Sequence, residues 1–411
     1  MKRKAALVTS LAAVVALLSA VGLAQVPMHF GATRAPAIDV DKTNKLYITM
    51  SVATKPAGAG TPGSQIFFTM SKDNGASWNN LPLTKNLSRS RGEAFGPSMA
   101  VNRNGKPRVY VVYHDNSNGT TQAYMLNSKK AGKFKGGARN ITQGEQGAFA
   151  PRVALDSNEA INIVWGDTAG GGRQVMFVRS TDQGETFSEL VNVSRSPGEA
   201  FEPEIAIDST GAIYIAWEDT APGESVIMLS RSTDGGLTFS DPVRVSTGAG
   251  RAVEAHVKVD DSDNIHVTWV DESEGDAQAF YSRSTDGGLT FSGPINLSNR
   301  PGRDIHKPFL ALDRNRVYVA YHEEAGGNKQ VYLVRSTDGG MSFSNPVQVS
   351  EANTSNGRGH SPAMVVDGRG VLHIVWIDTS IVGRDEGLLF YRNTRNGTSF
   401  SQQQVLVAAL P

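Results

Sequence analysis

Cysteine is missing from all 411 residues, which excludes disulfides, thiolate nucleophiles and cysteine-ligated metals. Stability must therefore come from a packed core, and the chain is long enough to bury one. No sign of charge prevails, with 40 Lys and Arg against 40 Asp and Glu. Nothing resembles the basic stripe of a nucleic-acid binder. Long apolar runs are also lacking, except for one at the start. There Lys2, Arg3 and Lys4 precede an apolar stretch over residues 5–23, and Gly22-Leu23-Ala24 offers small residues for cleavage before Gln25. Residues 1–24 read as a signal peptide and 25–411 as a single domain, secreted or periplasmic, with an uncleaved membrane anchor as the alternative. Without the leader the net charge is about −3.

What the chain has instead is glycine, 43 residues of it, between short β-branched runs, and a repeat. The segment STDGGLTF at 232–239 recurs at 284–291 and, slightly changed, at 336–343, with looser copies at 71–78 and 180–187. Asp182, Asp234, Asp286 and Asp338 stand a constant 52 residues apart, a period typical of propellers and solenoids. A second pattern keeps the same phase: Pro-x-x-Ala/Val, an aliphatic residue, Asp, a polar turn, then an alternating run ending in an aromatic and an acid. It begins at 36, 97, 151, 203, 255, 308 and 362, which makes seven units.

Each copy reads as a hairpin, with a third strand leading into the Asp motif and a fourth following it. The fold class is all-β, a β-propeller of four-stranded blades with seven sequence units. The column Met50, Tyr113, Trp165, Trp217, Trp269, Tyr321 and Trp376 supplies large side chains to pack one blade on the next. Unit 2 lacks the motif Asp, and in unit 7 Arg395 stands in its place.

An Asp in such a turn accepts hydrogen bonds from backbone N–H groups two or three residues on, and Gly permits the backbone shape. Five equivalent acids, Asp73, Asp182, Asp234, Asp286 and Asp338, are too many for one reaction, so the motif reads as structural. It resembles the Asp-box, or bacterial neuraminidase repeat, of the sialidase superfamily, over nearly all of residues 30–405. The resemblance implies a propeller, six-bladed in the sialidases, and glycans or glycoconjugates as partners. It covers both exo-sialidase-type glycoside hydrolases and non-catalytic propellers that bind a glycan or a protein. No cofactor and no metal is called for, and the unit reads as a monomer.

The loops before each repeat proline and after each aromatic–acid pair share one face, opposite the Asp motifs. Arg34, in Arg34-Ala35-Pro36, matches the arginine with which sialidases bind the substrate carboxylate, a task suited to the planar guanidinium. The family's acid has no counterpart between residues 51 and 64, where neither Asp nor Glu occurs, and no Tyr–Glu nucleophile pair aligns. Arg152, Arg173, Arg251, Arg303, Arg358 and Arg384 are available as partner arginines. The residues that break the sevenfold equivalence are Glu202, Glu204, Glu254, His256, Asp304, His306 and His360, at the starts of neighbouring inner strands. Strand alternation places Glu202 with Glu204 and Glu254 with His256. These side chains suit an acid–base or metal site, or a solvated polar rim around a channel.

Overall fold

Short strands that alternate β-branched and small residues cannot bury a face alone, so the chain turns back at each polar tetrad. The computed structural model describes residues 36–54, 63–79, 85–134, 136–142, 147–168, 172–351, 359–378 and 388–407. Among these residues there are 29 strands and no helix. They form seven antiparallel sheets, each a meander of four consecutive strands, with one further short strand in the second.

The first strands are Ala37–Val40, Ala94–Val101, Ala148–Leu155, Ala200–Ile207, Ala252–Val259, Asp304–Asp313 and Gly359–Val366. Each lies against the next, and the last lies against the first. The result is a seven-bladed β-propeller, one blade more than a sialidase has. Among the described residues no strand is exchanged between the first and last blades: the four strands of blade 1 are the first four of the chain's described strands and those of blade 7 the last four.

The core is a series of layers between blades rather than one central mass. The column from Met50 to Trp376 is at most 1% exposed throughout. In one such layer Val175 and Phe177 of blade 3 meet Trp217 and Phe239 of blade 4. The indole N–H groups of Trp165, Trp217 and Trp269 donate to Asp167, Asp219 and Asp271, two residues on, at 2.8, 2.9 and 3.0 Å. The recurring acid after the aromatic thus satisfies a buried donor.

The Ser-x-Asp-x-Gly turns are built alike. In blade 4, Asp234 Oδ1 accepts from Thr238 N–H at 3.0 Å and Oδ2 from the Thr238 hydroxyl at 2.6 Å, while Ser232 Oγ accepts from Gly236 N–H at 2.8 Å. The N–H four residues on donates in every one of the five turns, and in blades 5 and 6 the N–H three residues on, of Leu289 and Met341, donates as well at 3.0 Å, so the Asp spans the whole turn. In blade 7 the sequence alignment is corrected. Asn396, not the position of Arg395, does the work: its Oδ1 accepts from the N–H groups of Thr398 and Ser399, each at 3.0 Å. Blade 2 replaces the turn with a hairpin through Ala131 and Gly132, both at positive φ.

Candidate functional site

In a four-stranded meander the start of the first strand and the end of the second share a face, and the Asp turns lie on the other. On the first face, six inner strands carry a β-bulge at one place, where the register slips between Phe95 and Ser98, Phe149 and Arg152, Phe201 and Glu204, Val253 and His256, His306 and Phe309, and His360 and Ala363. The repeat proline marks it in five of the six, with Ala255 in its place in blade 5: having no N–H to give the ladder, proline is tolerated at a bulge. The preceding residue adopts a left-handed backbone in every case: Gly96, Ala150, Glu202, Glu254, Lys307 and Ser361. Five of these six are not glycine.

The bulge overturns the alternation expected for this rim. Glu202 and Glu204 fall on opposite sides of the slip and join different groups. Glu202 and Glu254 reach Lys307, which stands in their own column two and one blades on. Lys307 Nζ lies 3.5 Å from Glu202 Oε2 and 2.9 Å from Glu254 Oε1. Burial works against the Lys307 charge, but Glu254 and Glu202 outweigh it and hold its pKa above the ordinary value. Glu204 instead pairs with Arg152 at 2.5 Å, and its other oxygen is 4.0 Å from His256 Nε2. His256 is buried, and its Nδ1 accepts from Leu310 N–H at 3.2 Å, which leaves the ring proton on Nε2, facing Glu204. Burial, with Lys258 and Arg152 nearby, keeps this imidazole neutral.

Glu218, at the end of its second strand Ile213–Asp219, completes the first group. Its Oε1 accepts from the Glu254 backbone N–H at 2.7 Å, and Glu254 Oε2 in turn accepts from Lys307 N–H at 2.6 Å. The left-handed turn at Glu254 aims that N–H across the blade boundary. Glu218 is 8% exposed. Burial, reinforced by Glu202 and Glu254, pushes its pKa up to about 7, against the pull of the Glu254 N–H and Lys307.

Beside Glu218 in the register is Phe201, and the Arg173 guanidinium lies over both Phe201 and Phe149, at 5.1 and 5.7 Å from the ring centres. Phe149 is 39% exposed, an uncommon state for a large apolar side chain. Further round the rim His306 stacks on His322 at 5.2 Å between ring centres, and His360 meets His322 edge-on at 6.1 Å. Burial lowers the pKa of His322 well below its ordinary value and that of His360 to about 4. No group of three or more His, Asp or Glu side chains among the described residues is arranged to hold a metal ion.

Asp304 stands at the exposed start of its strand, opposite Glu324, and takes part in neither group. Arg34, Arg358 and Arg384 lie outside the described residues. Arg303 and Arg300 both pair with buried Glu323, two residues beyond Tyr321. This Tyr–Glu pair has the composition of a sialidase nucleophile, but Tyr321 is fully buried between blades 5 and 6, and burial raises its pKa. It occupies the position of the Trp–Asp pairs.

Sequence reasoning missed Glu218 and Lys307. Both had a signal. Glu218 is the one acid in a column otherwise made of Ser51, His114, Gly166, Val270, His322 and Ile377. Lys307 is the one cation in the column just before the repeat proline.

No known protein family and no curated protein matches the chain by sequence. Solved structures do match. An ulvan lyase of a polysaccharide lyase family, bound to GlcA(1-4)Rha3S, has a TM-score of 0.61 at 11% identity, covering 93% of this chain and 94% of that one. A protein of unknown function from Dyadobacter fermentans has a TM-score of 0.54 at 16% identity, over 88% and 94% of the two chains. The intramolecular trans-sialidase of Ruminococcus gnavus matches at 0.46 and 15%, over 93% and 96%. At such identities the likeness is one of fold. The chain is a seven-bladed propeller of the architecture that the ulvan lyase also has.

Proposed function

We propose that the bulge-rimmed face of this propeller engages a carboxylate-bearing glycan, and that the protein does so outside the cytoplasm, exported through residues 1–24. The observation that carries this reading is the Phe149–Arg173–Phe201 stack. An exposed aromatic ring suits the apolar side of a sugar, and a guanidinium held over the rings suits a carboxylate. Arg34 stands one residue before Ala35-Pro36 and is proposed as a second carboxylate ligand, by its match to the sialidase arginine. A protein partner on the same face is the competing reading.

The test is affinity electrophoresis of the purified protein in gels containing ulvan, polygalacturonate or hyaluronan, with neutral dextran as control. Retardation by an acidic polymer, weakened at least about tenfold in Arg173→Ala and in Phe149→Ala, is the expected result. Arg34→Ala is expected to weaken it as well. Equal mobility in all four gels would remove the glycan reading.

A further inference from the structure

We propose that Glu218 is a catalytic residue of this face, the proton donor in hydrolysis of a glycosidic bond, with the Lys307-paired side chains of Glu202 and Glu254 as its partners. The proposal rests on the reading that the face engages a glycan and goes beyond it, from binding to reaction.

Three features of the geometry converge on Glu218. It is the one acid in its column, so it is not part of the sevenfold repeat. One of its oxygens is fixed by a backbone N–H at 2.7 Å, which leaves Oε2 to carry a proton. It also sits beside Phe201, the ring over which Arg173 lies, so a sugar whose carboxylate is held by Arg173 lies on the side of this carboxyl.

The groups facing Glu218 are Glu202 from its own blade's inner strand, Glu254 from the inner strand of blade 5 and Lys307 from that of blade 6. The third strand of its own blade puts only Ile227 beside it. Glu254 and Glu202 are paired with Lys307 at 2.9 and 3.5 Å, whereas Glu218 is buried among negative neighbours and keeps its proton near neutrality. A buried carboxyl set beside carboxylates that are paired with a cation is an arrangement that acid–base catalysis can use.

The column that bears Glu202 and Glu254 supplies an independent argument. A left-handed backbone is disfavoured for a non-glycine residue, whose Cβ crowds the following carbonyl. Gly96 shows that glycine fits the position, yet blades 4, 5 and 6 place Glu202, Glu254 and Lys307 there. Of the five non-glycine residues at this place, the three charged ones stand in consecutive blades and meet on one rim.

The step balances with water as co-reactant. The Glu218 proton passes to the glycosidic oxygen as the bond from that oxygen to the anomeric carbon breaks. Water adds to the anomeric carbon and gives one proton to a carboxylate of the Glu202–Glu254 pair. Exchange with solvent then restores both groups.

The experiment measures reducing-end release from ulvan, polygalacturonate, hyaluronan and sialyllactose between pH 5 and 9, in water enriched in oxygen-18, alongside the gel retardation above. For at least one probe we expect release with solvent oxygen in the new end. We expect kcat to fall about a hundredfold or more in Glu218→Gln with retardation unchanged. Because the acid form is the active one, wild-type kcat/KM should fall about tenfold per pH unit above the Glu218 pKa. Retardation without turnover on any probe overturns this proposal and leaves the binding reading standing, whereas neither retardation nor turnover removes both. Turnover that survives Glu218→Gln, or an unsaturated product without solvent oxygen, also overturns it. Should Glu218→Gln fail to fold, judged by its thermal midpoint, the wild-type profile decides, and the absence of an alkaline limb near pH 7 overturns the proposal.

Discussion

At the residue scale, the chemistry of this propeller is concentrated where the backbone departs from its repeat. Ala150, Glu202, Glu254, Lys307 and Ser361 take a conformation that the Cβ disfavours. Ala150 makes no side-chain bond across the rim, so its strain serves no visible contact. Ala150→Gly is therefore expected to stabilise the fold by up to about 1 kcal/mol, read as a higher midpoint in urea. Glu202→Gly should stabilise similarly while weakening the Lys307 site. The identities of these residues were all legible in the sequence, and most of the rim was named from it. Their grouping was not. Alternation predicts that Glu202 and Glu204 work together, and a one-residue bulge divides them between Lys307 and Arg152. Glu218 was passed over because it sits inside the Trp-x-Asp signature, where Asp219 is the residue that repeats.

At the scale of elements, the Ser-x-Asp-x-Gly turn is a bolt between blades as well as a local turn. Its glycine is required twice over. At Gly340 the backbone has φ +87, and a Cβ there would stand 1.9 Å from Oη of Tyr281 in the preceding blade. Gly75 of blade 1 bears on Tyr391 of blade 7 in the same way. The Arg that precedes the motif adds a second link, since Arg283 donates to the Gly339 carbonyl at 2.7 Å and Arg231 to that of Gly287 at 2.8 Å. Gly340→Ala must therefore displace Tyr281 as well as strain the chain. We expect it to cost more than about 2 kcal/mol in chemical denaturation. The sequence period announced this element with force, because the turn is local and its residue types are dictated by φ and by hydrogen-bonding reach. The neighbour that the glycine admits, Tyr281 or Tyr391, lies a blade away and no local pattern names it.

At the scale of the whole molecule, the ring closes among the described residues through side-chain packing and side-chain-to-backbone hydrogen bonds. Many propellers need a strand from one end of the chain to complete a blade with the other; here both terminal blades are complete. The seam is held by a shared cluster that includes Ile38, Met50, Val375 and Leu406, by Trp78 set edge-on to Tyr391 at 5.1 Å, and by Gln404 donating to the Gly75 carbonyl at 3.1 Å. Asn44 adds a link by accepting from Gly368 N–H at 2.9 Å. Tyr391→Ala and Tyr281→Ala each remove a fully buried ring between two blades, at a cost of about 3–5 kcal/mol. Only the first lies where no peptide connection limits the separation of the blades. Hydrogen exchange is expected to quicken selectively in blades 1 and 7 of Tyr391→Ala, and near blades 5 and 6 alone in Tyr281→Ala.

The sequence by itself determined the unit, its number and its two faces. Period, turn chemistry and strand alternation act over a few residues, and seven repetitions make their message unmistakable. Only the tertiary structure decided which side chains meet. Glu218, Glu254 and Lys307 come from three different blades, and their contact depends on a bulge that turns each inner strand and on the rotation from one blade to the next. Cross-blade distances arise from packing between layers, and packing leaves no periodic trace in the chain.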